Sequence, residues 1–212
     1  MFLKSLLEHL ADNSRYPKYQ HERRIDIFIS FFLRSILERV LNEEISRVIP
    51  EFPFKKDSSF ATTNIDYFAY SSVAKTAYFV ELKTDTLSFD NEQMKRYLEV
   101  ANKPWDEIVD DIKQIRTRSN LTSYKEKYDI LLEQLRDMHP EIKRVVYLVP
   151  QKLYAKLSAY KDRVIFFTLE DISRMSNFEQ FNDEWNIVRD YLCKQENSMS
   201  LDSMNLVGNL SS

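Results

Sequence analysis

The sequence has little glycine, cysteine or histidine, and these shortages exclude several classes of protein. With one glycine, Gly208, the chain has neither a Walker-type phosphate loop nor the GxGxxG turn of dinucleotide-binding proteins. One cysteine, Cys193, excludes an intramolecular disulfide and a cysteine-based zinc cluster. The three histidines are scattered, as His9, His21 and His139, which argues against a histidine-rich metal site. Any bound metal is therefore expected to be held by carboxylates.

Long apolar runs and an excess of positive charge are also missing. The longest apolar candidate, Ile25 to Leu41, is interrupted by charged residues, so the sequence predicts no membrane span. The first residues lack the basic and apolar stretches of a secretory signal, which predicts a cytoplasmic protein. The net charge of −3 gives no bulk attraction to nucleic acid, so any such binding would depend on local patches.

The composition is that of a folded protein, with 43% hydrophobic and 30% charged residues. A length of 212 residues suits one domain with a substantial core. We expect that domain to span residues 1–197, with residues 1–18 as an N-terminal helical extension. Residues 198–212 are polar and rich in serine and asparagine, which predicts a disordered tail.

Hydrophobic spacing predicts alternating helices and strands. Helical periodicity runs from Met1 to Asp12, from Tyr19 to Ser46 and, with breaks, from Asp85 to Met138. Further helices are expected over 151–159, 171–175 and 178–193. The predicted strands are Val48–Phe54, Ile65–Tyr70, Ala77–Lys83, Val145–Val149 and Val164–Thr168. Prolines confine the first strand to a sheet edge, and the unbroken apolar run of the fourth indicates a central strand. The sequence thus predicts an α/β fold, with a central mixed sheet flanked by helices.

The chemistry-bearing candidate is the D/E-x-K triplet Glu81-Leu82-Lys83. The chain holds two other such triplets, Asp111-Ile112-Lys113 and Glu141-Ile142-Lys143, so the triplet alone is a weak signal. The first triplet differs because it ends a predicted strand, where a period of two directs Glu81 and Lys83 to one face. Asp66 lies in the preceding strand, and antiparallel pairing would bring it beside Glu81.

This arrangement predicts a site for a divalent metal ion. Asp66, Glu81 and the carbonyl of Leu82 would supply the hard oxygen ligands that Mg²⁺ (or Mn²⁺) prefers. Lys83 would orient or activate the attacking water and offset charge that develops on a phosphate group. Two carboxylates held together without a cation would repel, which predicts a raised pKa on one of them.

Two segments and a helix resemble a known nuclease superfamily. Asn64-Ile65-Asp66-Tyr67-Phe68 followed by Tyr78-Phe79-Val80-Glu81-Leu82-Lys83-Thr84 looks like the PD-(D/E)xK (restriction-endonuclease-like) hallmark. Gln93-Met94-Lys95-Arg96-Tyr97 has the Q-x-x-x-Y form of RecB-type members. The chain departs from the pattern where Asn64-Ile65 replaces the usual proline or glycine, and it lacks the cysteines that bind an iron-sulfur cluster in some relatives.

The resemblance implies a restriction-endonuclease-like core and metal-dependent hydrolysis of phosphodiester bonds in DNA. Asp66, Glu81, Lys83 and Gln93 would be the catalytic residues, and Tyr97 would support substrate binding. Lys95 and Arg96 are candidates for a phosphate-contacting rim. Many members also carry a glutamate on the first core helix. Of the glutamates there, Glu22 and Glu43 are in phase with the apolar face; we favour Glu22, and Glu51 is a further candidate.

Three interpretations follow from the sequence. The first is a DNA nuclease, in which a homodimer would be plausible because many nucleases cut duplexes as dimers. The second is a binding or assembly module that keeps the fold without catalysis. The third is an α/β interaction protein with no site, which predicts that Asp66, Glu81 and Lys83 do not converge in space.

Overall fold

The computed structural model describes residues 2–13, 21–56, 62–85, 88–157, 160–176, 178 and 180–193, apart from the side chains of residues 21–24. The expected tail over 198–212 and the expected helix start at Tyr19 lie outside these residues. The helices are α1 (Phe2–Asn13), α2 (His21–Leu41), α3 (Asn91–Asn102), α4 (Trp105–Arg118), α5 (Thr122–Leu135), α6 (Gln151–Leu157), α7 (Leu169–Ser173) and α8 (182–193). The strands are β1 (Arg47–Lys55), β2 (Thr62–Ser71), β3 (Thr76–Leu82), β4 (Ile142–Val149) and β5 (Val164–Thr168).

One mixed sheet contains all five strands, in the order β1-β2-β3-β4-β5. The first three pair antiparallel as a meander, and β4 and β5 continue the sheet in parallel with β3. The strand β1, which contains Pro50 and Pro53, lies at an edge because proline cannot donate to a ladder. The strand β4 lies between two neighbours and is buried from Val145 to Val149, as its apolar run predicted.

Helices cover both faces of the sheet, which makes a three-layer α/β/α arrangement. On the first face, side chains of α1, α2, α7 and α8 share a core with Tyr67, Tyr78 and Val80. On the second face, α3, α4, α5 and α6 pack over Phe68, Phe79 and other aromatic side chains. No helix among the described residues is long and apolar enough to cross a membrane.

The shortage of glycine places left-handed backbone on other residues. Asn42, Glu51, Lys75 and Phe181 have positive φ angles, of 52°, 51°, 48° and 57°. Asn42 explains why α2 ends at Leu41 and not at Ser46 as expected, since a left-handed residue directly after the last helical residue terminates a helix. Glu51 is unusual because it lies within a strand, and the left-handed conformation is sterically unfavourable for any residue with a Cβ.

Candidate active site

Glu81 and Lys83 lie at the end of β3, on the same face of the sheet. The two side chains are almost fully buried, with 2% of Glu81 and 6% of Lys83 exposed. The ammonium Nζ of Lys83 donates a hydrogen bond of 2.7 Å to Oε1 of Glu81. Burying a charged side chain is costly unless an opposite charge compensates it. Glu81 and Lys83 compensate each other in this way, at the end of a strand that is buried throughout.

Asp66 meets this pair where the β2–β3 ladder ends. The last paired residues are Tyr67 and Val80, and continuing that register by one residue sets Asp66 opposite Glu81. The backbone N–H of Lys83 donates to Leu148 in β4, so the N–H of Leu82 points the other way, toward β2. There it donates to Oδ2 of Asp66 at 2.7 Å. The carboxylate of Asp66 therefore replaces a backbone acceptor at the point where the strands separate.

The strand β1 is irregular opposite Asp66. Glu51 falls opposite Asp66, between the pairs Pro50–Tyr67 and Phe52–Ile65. Its left-handed backbone reverses the alternation of β1, so that Ile49 and Phe52 face the same core although they are three residues apart. The Nδ2 group of Asn64 donates to Oε2 of Glu51 at 3.2 Å. Asn64, which stands in place of the usual proline or glycine, thus stabilises the irregular part of β1.

Burial dominates the electrostatics of Glu81. Desolvation raises the pKa of its carboxyl, and the ammonium of Lys83 and the backbone of Asp66 oppose that rise. The sequence predicted a raised pKa on one of two carboxylates, from repulsion between them. The direction agrees with the structure, but the largest cause is burial and not repulsion.

The Q-x-x-x-Y element lies on α3, which begins after Asp90 caps its N-terminus. Nε2 of Gln93 donates to the hydroxyl of Tyr97 at 2.7 Å, as expected for residues one turn apart. That hydroxyl in turn donates to the carbonyl of Asn64 at 3.0 Å. Tyr97 is fully buried, so it supports the chain just before Asp66, and Gln93 acts on the site through it.

The remaining predicted residues are placed less centrally. The side chain of Glu22 lies outside the described residues. Lys95 is exposed and pairs with Glu92 at 2.7 Å, and Arg96 is half-buried on the same helix. Glu43 accepts a 2.6 Å hydrogen bond from the hydroxyl of Tyr78, on the opposite face of the sheet and nearer the start of β3. Glu43 is therefore separate from the site.

Two residues near the site were not predicted from the sequence. The hydroxyl of Tyr67 donates to Oδ1 of Asp26 on α2, and burial raises the pKa of that aspartate. The sequence signal for Asp26 was its position, because it is a carboxylate beside the apolar stripe of α2, one turn after Glu22. Tyr147 in β4 is paired with Glu81 and fully buried. Its signal was a hydroxyl within the otherwise apolar run Val145–Val149.

Asp66 and Glu81 are the carboxylate donors available to a divalent ion at this site. In the part of the chain that the structure describes, no three His, Cys, Asp or Glu side chains form a metal-binding group. Asp66 and Glu81 supply two carboxylates, which is the number with which Mg²⁺ is often held when it keeps several waters. The Oε2 atom of Glu81 is buried, and no described group donates a hydrogen bond to it. A buried anionic oxygen in need of a partner fits a hard cation, and the Leu82 carbonyl remains the predicted third oxygen.

Comparisons of the chain with protein-family models, curated proteins and solved structures found no match. The site therefore has to be interpreted from its own residues. Asp66, Glu81 and Lys83 do converge, which counts against an interaction protein without a site.

Proposed function

We propose that this chain is a metal-dependent nuclease of the PD-(D/E)xK type, with a restriction-endonuclease-like core, that hydrolyses phosphodiester bonds in DNA. The observation that carries the proposal is the meeting of Asp66, Glu81 and Lys83 at the end of the β2–β3 ladder. The link from Gln93 through Tyr97 to Asn64 adds independent support, since it joins the two motifs on which the resemblance rests.

Each residue has a chemical role in this proposal. Asp66, Glu81 and the carbonyl of Leu82 would hold Mg²⁺ or Mn²⁺, which when bound polarises a phosphate oxygen and lowers the pKa of a coordinated water. Lys83 favours the charged form of Glu81 and so opposes the effect of burial, because its ammonium is in direct contact with the carboxylate. The same positive charge would offset the negative charge that develops on the phosphate during attack by water.

Electrostatic attraction to DNA would have to be local, since the chain carries a net charge of −3. Lys95 and Arg96 on α3 are the proposed phosphate contacts, because α3 also carries Gln93 and Tyr97. A contact of this kind fixes register on the backbone and carries no sequence information.

One observation favours the second candidate, a binding module on the same fold. Glu81 already has a cation partner within the protein, and the described residues bring only two carboxylates together. A protein that has no need of a metal could keep such a pair. The two candidates differ in one measurable respect, because only the nuclease requires a divalent ion for its activity.

The test is cleavage of linear and covalently closed circular DNA with Mg²⁺ or Mn²⁺, comparing wild type with Lys83→Ala. We expect the substitution to reduce cleavage by about a hundredfold or more, the loss typical of removing one transition-state donor. EDTA should abolish cleavage. Products from circular DNA would identify an endonuclease, whereas cutting of linear DNA alone would identify an exonuclease.

The matched control is Lys143→Ala. Lys143 belongs to the triplet Glu141-Ile142-Lys143, which has the same form but lies at the exposed start of β4. This variant should cut like wild type, and circular dichroism should show that both variants are folded. Failure of the wild type to cut single- or double-stranded DNA or RNA with either ion would favour the binding module.

A further inference from the structure

Tyr147 lies beside Glu81 in the sheet and has no place in the proposed chemistry so far. The two residues are directly paired between the parallel strands β3 and β4. Both belong to the face covered by α3, as the neighbours Phe79 and Val145 show. Tyr147 is 0% exposed, and its hydroxyl is the one side-chain polar group between Val145 and Val149.

The ring of Tyr147 is fixed by other aromatic rings, so its position follows from packing. The centroids of Phe166 and Phe89 lie 6.0 Å and 6.2 Å from that of Tyr147. Burial raises the pKa of Tyr147, and the negative charges of Glu81 and Asp66 raise it further. The hydroxyl therefore lies within the field of both carboxylates of the site.

Two buried side-chain polar atoms have no hydrogen-bond partner among the described residues, and they belong to these two paired residues: the hydroxyl oxygen of Tyr147 and Oε2 of Glu81. They are the only such side-chain atoms in that part of the chain. An unsatisfied buried polar group destabilises the folded state, and phenylalanine would fill the space of Tyr147 without that cost. One atom belongs to a donor and the other is an acceptor, so a single water can satisfy both.

We propose that Tyr147 is a positioning residue, whose hydroxyl fixes the second carboxylate oxygen of Glu81 through one shared water. The water accepts from Tyr147 and donates to one lone pair of Oε2, which leaves the other lone pair for the proposed cation, while Oε1 accepts from Lys83. Glu81 is then held at both oxygens, which fixes its rotamer and the direction of its lone pairs. The relevance of this device to catalysis rests on the proposed function, but the hydrogen-bonded link itself does not.

The link can be tested in metal-free protein by urea unfolding in EDTA. The variants are Tyr147→Phe, Glu81→Ala and the combination of both. We expect Tyr147→Phe to raise the unfolding equilibrium constant about three- to tenfold, as for loss of one hydrogen bond. In the Glu81→Ala background the same substitution should have no such effect, because the shared water has lost its acceptor.

Opposite results would overturn the inference. An orphaned hydroxyl predicts that Tyr147→Phe stabilises the protein, and independent roles predict additive effects. The control is Tyr78→Phe, because Tyr78 donates to Glu43 on the opposite face. It should destabilise the protein equally with and without Glu81.

A second measurement decides the matter if Glu81→Ala does not fold. The infrared difference between ring-labelled wild type and Tyr147→Phe isolates the C–O stretch of this hydroxyl. A frequency typical of a donating phenol is expected, and that of an unbonded phenol would refute the link.

Mn²⁺ binding separates the inference from the proposed function. We expect Tyr147→Phe to weaken Mn²⁺ binding about tenfold, in the range typical of removing a group that orients a metal ligand, while Tyr78→Phe leaves it unchanged. If wild type and Tyr147→Phe bind equally, the positioning role is wrong while the metal site stands. If wild type binds no Mn²⁺, the proposed function fails, and the unfolding experiment still decides whether the link exists.

Discussion

The carboxylate of Asp66 accepts a 2.7 Å hydrogen bond from the backbone N–H of Leu82, across the point where two strands separate. The side chain of Asp66 thus has both a structural role and a proposed metal-binding role. The two roles have different requirements, because the hydrogen bond needs an acceptor atom whereas a cation needs negative charge.

Substitutions at Asp66 should therefore separate stability from function. Asp66→Ala leaves the N–H of Leu82 without its acceptor and should lower the free energy of unfolding by about 1–3 kcal/mol. Asp66→Asn keeps an amide oxygen in the same place and should recover most of that loss, yet it should be as inactive as the alanine variant. Urea unfolding with cleavage assays checks both; equal destabilisation by the two substitutions would show that the hydrogen bond contributes little.

The buried pair of Glu81 and Lys83 predicts strong coupling between substitutions. Lys83→Met or Glu81→Gln alone leaves one buried charge without its partner, and each should lower the free energy of unfolding by about 3 kcal/mol. The double variant should be more stable than either single variant, because no uncompensated charge remains. A double-mutant cycle by urea unfolding measures this coupling. Additive losses would indicate that water screens the pair.

Divalent ions should stabilise the folded protein if the site binds them. Mg²⁺ or Mn²⁺ at a hundred times its dissociation constant contributes about 2.7 kcal/mol, which for a chain of this size is a rise of several degrees in melting temperature. Asp66→Asn and Glu81→Gln should lose the rise.

Glu141→Gln is the control for this measurement. It alters a glutamate of the same triplet form that is exposed and paired with Lys75. Its melting temperature should respond to the ions as that of wild type does. A rise that persists in Asp66→Asn would indicate ion binding elsewhere on the chain.

Asp26 should make stability fall as pH rises. Burial raises its pKa above the ordinary 3.8, so the folded state holds a proton that the unfolded state has already released. The stability it contributes is complete below pH 3.8 and is lost as the pH rises through the folded-state pKa. Asp26→Asn removes this dependence and keeps an acceptor for Tyr67. Its stability relative to wild type should therefore increase with pH from about 4 upward.

The control for this pH series is Asp129→Asn, which should show the opposite sign. Arg116 lowers the pKa of Asp129, so the contribution of Asp129 is present above its ordinary pKa and is lost as the pH falls. Thermal unfolding between pH 3 and pH 7 compares the two variants. Parallel pH profiles would contradict the raised pKa of the half-buried Asp26.

Most of the fold could be predicted from the sequence because its signals are local. The period of two put Glu81 and Lys83 on one face, and the apolar run of Val145–Val149 indicated a central strand. The predicted end of α2 was wrong because helical periodicity continues past Leu41, whereas the left-handed backbone of Asn42 stops the helix.

The sequence by itself identified the candidate site residues: Asp66 and Glu81 as proposed metal ligands, Lys83 beside them, and Gln93 with Tyr97 on one helix. The tertiary structure alone decided how they are held. Pairing of β4 with β3 brings Tyr147 to Glu81, and packing of α2 brings Asp26 to Tyr67. Burial of Glu81 likewise depends on the layers above it. Periodicity specifies the direction of a side chain along its own element, but contacts between distant segments depend on which elements pack together.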